Sequence, residues 1–225
     1  MNSVAALEAA LVNAPDDPLV YAAYADALAD ADDPRGGFHH LLMRLDSMAV
    51  GPELIRTERE LHRLWDPHKR DWLLPTRRRF AKVGFYRLDG AVPLVNTAHP
   101  TAALADELAA SPVWWLLRGL RVEGEPDVPG FLGRFVRSRV RTLQVVGAGS
   151  GDAVIELLVS TGWLDRLTEL HLPGCRVTDD GALALAAHPR TPHLRPLDLD
   201  SNRLSHVGVA ALAEVGVTVS PQQYL

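Results

Sequence analysis

Apolar residues in the first part of the chain recur every three or four positions, which is the spacing that puts them on one face of a helix. Each such stretch follows a signal that starts helices: Ser3, Asp17-Pro18, Asp33-Pro34 and Pro52. A serine or aspartate side chain accepts a hydrogen bond from the first turn, and proline at the first position lacks a donor that would stay unpaired anyway. The pattern predicts four amphipathic helices that form a small all-helical N-terminal domain over residues 1–66.

A different pattern occupies the second half of the chain. Residues 167–186, LTELHLPGCRVTDDGALALA, and residues 194–213, LRPLDLDSNRLSHVGVAALA, place leucine or a small apolar residue at matching positions. The two stretches start 194 − 167 = 27 residues apart, and the same frame continues upstream from Val140 and, after 140 − 117 = 23 residues, from Leu117. A short alternating segment opens each unit and an apolar stripe at helical spacing follows it, so each unit is predicted to contain one strand and one helix.

This signature resembles the leucine-rich repeat, and in particular repeats of the ribonuclease-inhibitor type. The resemblance implies an α/β fold, in which residues 117–225 form a short solenoid with parallel strands inside and helices outside. Helices are wider than strands, so this stacking bends the array and leaves the strands on a concave wall. Asn202, and Cys175 one unit earlier, take the position at which the chain leaves the strand. We therefore expect Cys175 to be a buried structural residue rather than a nucleophile.

The side chains that point outward from the predicted strands line up from unit to unit. One row is Arg121, Gln144, His171 and Asp198, and the neighbouring rows add Glu123, Glu169 and Asp200. This wall is mixed in charge and becomes more acidic toward its C-terminal end. We expect these residues to bind another protein, because solenoids commonly present their concave surface to a partner. Any solvated sheet also presents rows of polar side chains, and the sequence leaves that alternative open.

The N-terminal domain carries a resemblance of its own. The run LVYAAYADAL at residues 19–28, followed by DDPRG at 32–36, is similar to the repeat-companion domain that precedes leucine-rich repeats in some environmental bacteria. That family is expected to have a Tyr-Ala-Asp-Trp-Leu core, in which Ala27 here takes the place of the tryptophan. The resemblance implies a bacterial protein with a helical module fused to a repeat array, and it implies no activity. It leaves open whether the helical module binds a partner of its own or only caps the repeats.

Residues 67–116 are expected to join the two parts and to form the N-terminal cap of the solenoid. Proline and glycine interrupt the periodic pattern from Pro67 onward, while Val83 and Tyr86 indicate a short strand or a weak repeat unit. Residues 101–110 predict a helix. At the far end, Val217 and Val219 fit a last half-repeat.

Charge is distributed unevenly along the chain, whose formal net charge is −5. Residues 1–33 contain seven acidic residues and no lysine or arginine, and residues 56–87 contain ten basic residues against four acidic ones. We expect the two segments to fold against each other and neutralise. The alternative is binding of nucleic acid or another anionic surface through the basic segment 69–87, although an overall acidic chain favours such partners less. A further basic run from Arg134 to Arg141 is interpreted as a solvated convex face.

Recognisable catalytic chemistry is absent from the sequence. The chain has no phosphate loop, no HExxH or GxSxG motif and no clustered metal ligands, and one cysteine excludes both an internal disulfide and a cysteine-based zinc site. The adjacent His39 and His40 are interpreted as a solvated pair, and the glycine-rich run 147–151 as a repeat turn. These observations predict a non-enzymatic protein without a cofactor. The lack of a long apolar run and of a basic leader predicts a soluble, cytoplasmic protein without a membrane segment, and the oligomeric state stays open.

Overall fold

A computed structural model of the protein describes residues 3–48, 51–73, 82–87, 91–97, 100–111, 114–124 and 127–219. The chain begins with helices and continues as a six-stranded sheet, whose strands follow one another in sequence order. The core runs without a break from the helices into the repeats.

Four helices form the N-terminal helical region, which we call the helical domain: α1 (Val4–Asn13), α2 (Pro18–Asp30), α3 (Pro34–Asp46) and α4 (Pro52–Leu73). The first three begin where the sequence signals place them, because the side chains of Ser3, Asp17 and Asp33 each accept a hydrogen bond from a backbone N–H of the first turn. Their apolar faces enclose a core of large side chains, each at most 2% exposed: Leu11, Tyr21, Tyr24, Phe38, Leu61 and Trp65.

The expectation that Pro67 ends the helical pattern is wrong, since α4 passes through this proline to Leu73. An internal proline costs a helix about 3 kcal/mol. One turn further on, however, Trp72 is 7% exposed and packs its ring edge-on against Phe38 and Trp65. Burial of an aromatic side chain of this size offsets the cost of the proline. The helix thus crosses residue 66, and the division of the chain into domains stays a prediction.

A hairpin connects the helices to the repeats. Strands β1 (Lys82–Arg87) and β2 (Ala91–Thr97) pair antiparallel, and β2 then pairs in parallel with the first strand of the repeats, with Val95 opposite Leu120. The strand expected around Val83 is present, but its interpretation as a weak repeat unit is wrong, because an antiparallel strand is not a rung of the solenoid. Residues 91–97 form the first parallel rung instead.

The rest of the chain alternates helices and strands in the predicted manner. Helix α5 (Ala102–Ala109), capped by Thr101, comes first, followed by β3 (Gly119–Glu123), α6 (Val128–Gly133), β4 (Thr142–Val146), α7 (Gly151–Ser160), β5 (Glu169–His171), α8 (Asp179–Ala186), β6 (Leu197–Asp198) and α9 (His206–Glu214). Strands β3 to β6 pair in parallel, and their central leucines form one ladder: Leu120, Leu143, Leu170 and Leu197. The α/β fold of a leucine-rich-repeat solenoid that follows an N-terminal helical region is confirmed.

Polar side chains connect the last two repeat units at both ends of the strand–helix turn. Asn202 is fully buried, its Oδ1 accepts from the Val177 N–H at 3.0 Å, and its Nδ2 donates to the carbonyls of Leu172 and Leu199 at 2.8 Å. On the helical side Asp179 accepts from the backbone N–H groups of Ser205 and Gly208 in the next unit. Gly208 permits this contact, because a Cβ at that position would lie 2.5 Å from the Asp179 carboxylate.

Candidate partner-binding face

The strand register brings the predicted row of outward-facing residues together. Arg121 pairs with Gln144, Gln144 with His171, and His171 with Asp198, so the four residues follow one another across β3, β4, β5 and β6. In a strand, residues two apart point to the same face, which places Glu123 and Glu169 beside this row. We call the surface formed by Arg121, Glu123, Gln144, Glu169, His171, Asp198 and Asp200 the concave face.

The first half of the concave face is a small hydrogen-bonded network. Arg121 donates through Nε to Glu123 Oε1 at 2.7 Å and through Nη1 to Gln144 Oε1 at 3.2 Å. The side chains of Arg121 and Glu123 remain 34% and 40% exposed. Their charges compensate each other while part of each group still faces water. This half therefore offers both a cation and an anion to an incoming surface.

The second half is organised around His171. Its Nδ1 lies 3.6 Å from Asp198 Oδ2 and its Nε2 lies 3.8 Å from Glu169 Oε2. The pKa of His171 is raised above its ordinary value, first by Glu169 and further by the charge of Asp198, against the opposing effect of burial. Asp198 also accepts a hydrogen bond from the backbone N–H of Asp200 at 2.9 Å. Two carboxylates, those of Glu169 and Asp198, thus face one imidazole, and this half of the face is acidic.

Exposure varies along the acidic half. The side chains of Glu169 and His171 are 15% and 13% exposed, whereas that of Asp198 is 31% exposed. Glu169 Oε2 and His171 Nε2 are enclosed and make no hydrogen bond in the described part of the chain. An incoming group therefore meets Asp198 first, with the other two side chains beneath it.

A second charged region lies at the edge of the sheet where the strands begin. The sequence predicts a solvated convex face for Arg139, but its guanidinium carbon lies 3.6 Å from the centroid of the Tyr21 ring and it donates to the carbonyl of Pro15. Arg118, 5% exposed, lies on the same tyrosine and donates to its hydroxyl at 3.0 Å. Burial and the neighbouring charge of Arg118 lower the pKa of Arg139 to about 10.

Two aspartates of the helical domain complete this region. Asp46 lies 3.8 Å from Arg118 and 3.9 Å from Arg139, and Asp16 pairs with Arg141 and, at 3.4 Å, with Arg166. We call these two aspartates, four arginines and Tyr21 the seam. Asp16 of the acidic N-terminal segment thus pairs with arginines of the repeats. The predicted pairing of this segment with residues 56–87 involves mostly side chains outside those described. The expected solvated face is wrong for Arg139 and Arg141 because the helical domain covers it.

The sequence predicts that His39 and His40 form a solvated pair, which is wrong for His39. It is fully buried, and its Nδ1 shares a hydrogen bond of 2.5 Å with the Tyr21 hydroxyl, while His40 remains partly exposed beside Asp26. Gly36 explains the burial, because a Cβ there would lie 2.5 Å from the backbone nitrogen of Ala29, so only glycine lets α3 approach α2 this closely. Burial, together with nearby arginines, lowers the pKa of His39 well below its ordinary value.

The structure agrees with the sequence interpretation of Cys175 and of the glycine-rich run 147–151. Cys175 is fully buried, its thiol donates to the carbonyl of Val145, and burial raises the pKa of this thiol, as expected of a structural residue. The glycine-rich run 147–151 is a repeat turn, in which Gly151 N–H donates to the carbonyl of Cys175. The described residues contain no cluster of potential metal ligands. Most side chains of the basic segment 69–87 lie outside the described residues. Binding of an anionic partner there stays a prediction.

The comparisons with known proteins agree with the repeat architecture. A family model described as "Leucine Rich repeat" matches residues 167–186 and 191–213. Neither a curated protein nor a solved structure matches the chain. Repeats of this family are generally protein-interaction modules and are typically non-enzymatic. None of the helices in the described ranges is long and apolar enough to cross a membrane. The bacterial origin and the likeness of the helical domain to the repeat-companion domain stay predictions.

Proposed function

We propose that this protein is a non-enzymatic interaction module that binds a partner protein through its concave face. The observation that carries the proposal is the continuous row of partly exposed polar side chains that the strand register assembles across four rungs. Polar groups at an interface direct recognition by hydrogen bonds and charge complementarity. The contacts available here are the Arg121–Glu123 pair in one half and Asp198 above His171 in the other. A cytoplasmic location belongs to the same proposal.

The helical domain supports this role indirectly. Its described ion pairs with the repeats lie at the seam. Asp16 and Asp46 pair there with Arg118, Arg139, Arg141 and Arg166, and not with concave-face residues. Among the described residues, these ion pairs leave the polar groups of the concave face available to another molecule.

The test is affinity capture from a lysate of the producing cells with a triple variant, Arg121→Ala, His171→Ala and Asp198→Ala. We expect the partner recovered with the unmodified chain to be lost. A matched control replaces one arginine, one histidine and one aspartate on the outer helical side, Arg137→Ala, His206→Ala and Asp180→Ala, all of which are exposed. The control should retain the partner. Equal recovery by both variants would contradict the assignment of the concave face.

A further inference from the structure

The arginines of the seam follow the repeat period. The backbone N–H of Arg141 donates to the carbonyl of Arg118 at 2.7 Å, that of Thr168 to Arg141 at 2.9 Å, and that of Arg195 to Thr168 at 2.8 Å. These four residues therefore occupy one equivalent position in successive units, one or two residues before each strand. We call them the first column.

A second column lies two residues earlier in each unit. Arg139, Arg166 and His193 are spaced by 166 − 139 = 27 and 193 − 166 = 27 residues. Arg166 and His193 are also the last residues of equivalent 3₁₀ turns, Leu164–Arg166 and Thr191–His193. The two columns together run along the edge at which the strands begin.

The helical domain occupies the first two sites on this edge in the same manner. Asp46 bridges Arg118 of the first column and Arg139 of the second, and Asp16 bridges Arg141 and Arg166, one unit further on. Each aspartate thus joins the first-column residue of one unit to the second-column residue of the next. By the same rule a third site falls between Thr168 and His193, next to Arg195.

This third site has no carboxylate of its own among the described residues. Thr168, His193 and Arg195 are all exposed, and neither His193 nor Arg195 forms an ion pair within the ranges that the structure covers. A groove of about 250 Å³ adjoins Arg195, and its apolar lining includes Leu194, Leu197 and Val217. A cationic group therefore stands beside a groove of mixed polar and apolar lining, at the continuation of an interface that is occupied elsewhere.

We infer that the edge formed by Thr168, His193 and Arg195, with its adjoining groove, binds an acidic segment of a partner protein through an aspartate or glutamate side chain. The chain supplies the precedent in its own loop, where Pro15 and Asp16 contact Arg139, Arg141 and Arg166. An apolar residue next to the carboxylate would enter the groove. This surface is separate from the concave face, so the inference does not depend on the function proposed above.

The test uses a peptide of residues 13–20, NAPDDPLV, which is the chain's own acidic loop, added to the isotope-labelled full chain. We expect amide shifts of His193, Arg195 and Val217 that saturate at millimolar peptide, and about fivefold weaker binding when Asn replaces Asp16 in the peptide. Arg195→Glu should abolish these shifts, while Arg203→Glu, a change of an exposed arginine outside the columns, should preserve them. Arg195→Gln provides a milder second variant, and the unperturbed remainder of each spectrum reports that the chain is folded.

Two outcomes would overturn the inference. One is that the amides of His193, Arg195 and Val217 do not shift at millimolar peptide, or that the shifts are as large in the Arg195→Glu variant as in the unmodified chain. The other is that inorganic phosphate at the same concentration produces the same shifts with the same dependence on Arg195, because the edge would then bind anions without preference for an acidic protein segment.

Discussion

The arginines of the seam and the arginine of the concave face experience opposite environments. Arg118 is 5% exposed and is held by two carbonyls, the Tyr21 hydroxyl and Asp46, whereas the Arg121 side chain is 34% exposed beside Glu123 and Gln144. A charge removed from water must keep its partners, while a charge in contact with water can exchange them. The seam is therefore suited to fixing the helical domain on the repeats, and the concave face is suited to binding and release.

The histidines of the two regions also differ in burial and in the direction in which their pKa is shifted. His39 is fully buried at the seam, where burial and neighbouring cations oppose its protonation and lower its pKa. His171 on the concave face lies between carboxylates, and its pKa is raised. One side chain type thus serves as a neutral structural partner in one region and as a potential cation in the other.

The largest expected effect concerns the two arginines. Arg118→Ala should lower the free energy of unfolding by about 3 kcal/mol, because it removes a buried charge from a network that was built around it. Arg121→Ala should lower it by less than about 1 kcal/mol, because water replaces the lost contacts. Urea denaturation of both variants measures the difference. Equal losses would mean that the seam does not hold the two parts together.

The two histidines should give opposite pH dependence of stability. The folded-state pKa of His39 is depressed, so its stabilising contribution is present above its ordinary pKa of 6.5 and is lost as pH falls below that value. The folded-state pKa of His171 is raised above 6.5, so its contribution is present below that value and is lost as pH rises through the raised pKa.

Denaturation curves at several pH values, compared with His39→Gln and His171→Gln, measure these contributions. The stability advantage of the unmodified chain over His39→Gln should shrink on acidification, and that over His171→Gln should shrink on raising the pH. If the stability difference between the unmodified chain and the variant changed with pH in the same direction for both histidines, the two environments would not differ as described.

The smallest expected difference between the two regions concerns the exposed part of the seam. Asp16→Asn should reduce the free energy of unfolding by about 1 kcal/mol at low salt, and the loss should diminish as added salt screens the pairs with Arg141 and Arg166. Glu123→Gln on the concave face is the matched control, and its effect should stay below about 0.5 kcal/mol. A loss for Asp16→Asn that does not change with salt would contradict an electrostatic contribution.

Local signals in the sequence predicted a large part of the fold. Ser3, Asp17 and Asp33 cap their helices with their own side chains, so their effect is visible from a few neighbouring residues. The period of 27 residues predicted the alignment of Gln144, His171 and Asp198, because parallel strands at a fixed repeat leave one register. The same period, applied to Arg141 and Arg195, could have revealed the first column.

The seam itself was not predicted, because it depends on which surfaces meet across more than ninety residues of chain, as Tyr21 and Arg118 do at a separation of 97. His39 illustrates the difficulty, since its burial follows from the close approach that Gly36 allows between α3 and α2. Pro67 illustrates it again, since the helix survives the proline only because Trp72 finds aromatic partners beyond it.

The amino-acid sequence by itself determined the helices, the repeat period and the identity of the side chains on the concave face, because each of these follows from neighbours along the chain or from a fixed spacing. The tertiary structure alone decided which charges are buried. Burial is a property of two surfaces that meet, and the docking of the helical domain turned Arg118 and Arg139 into structural cations while it left Arg121 and Arg195 in contact with water.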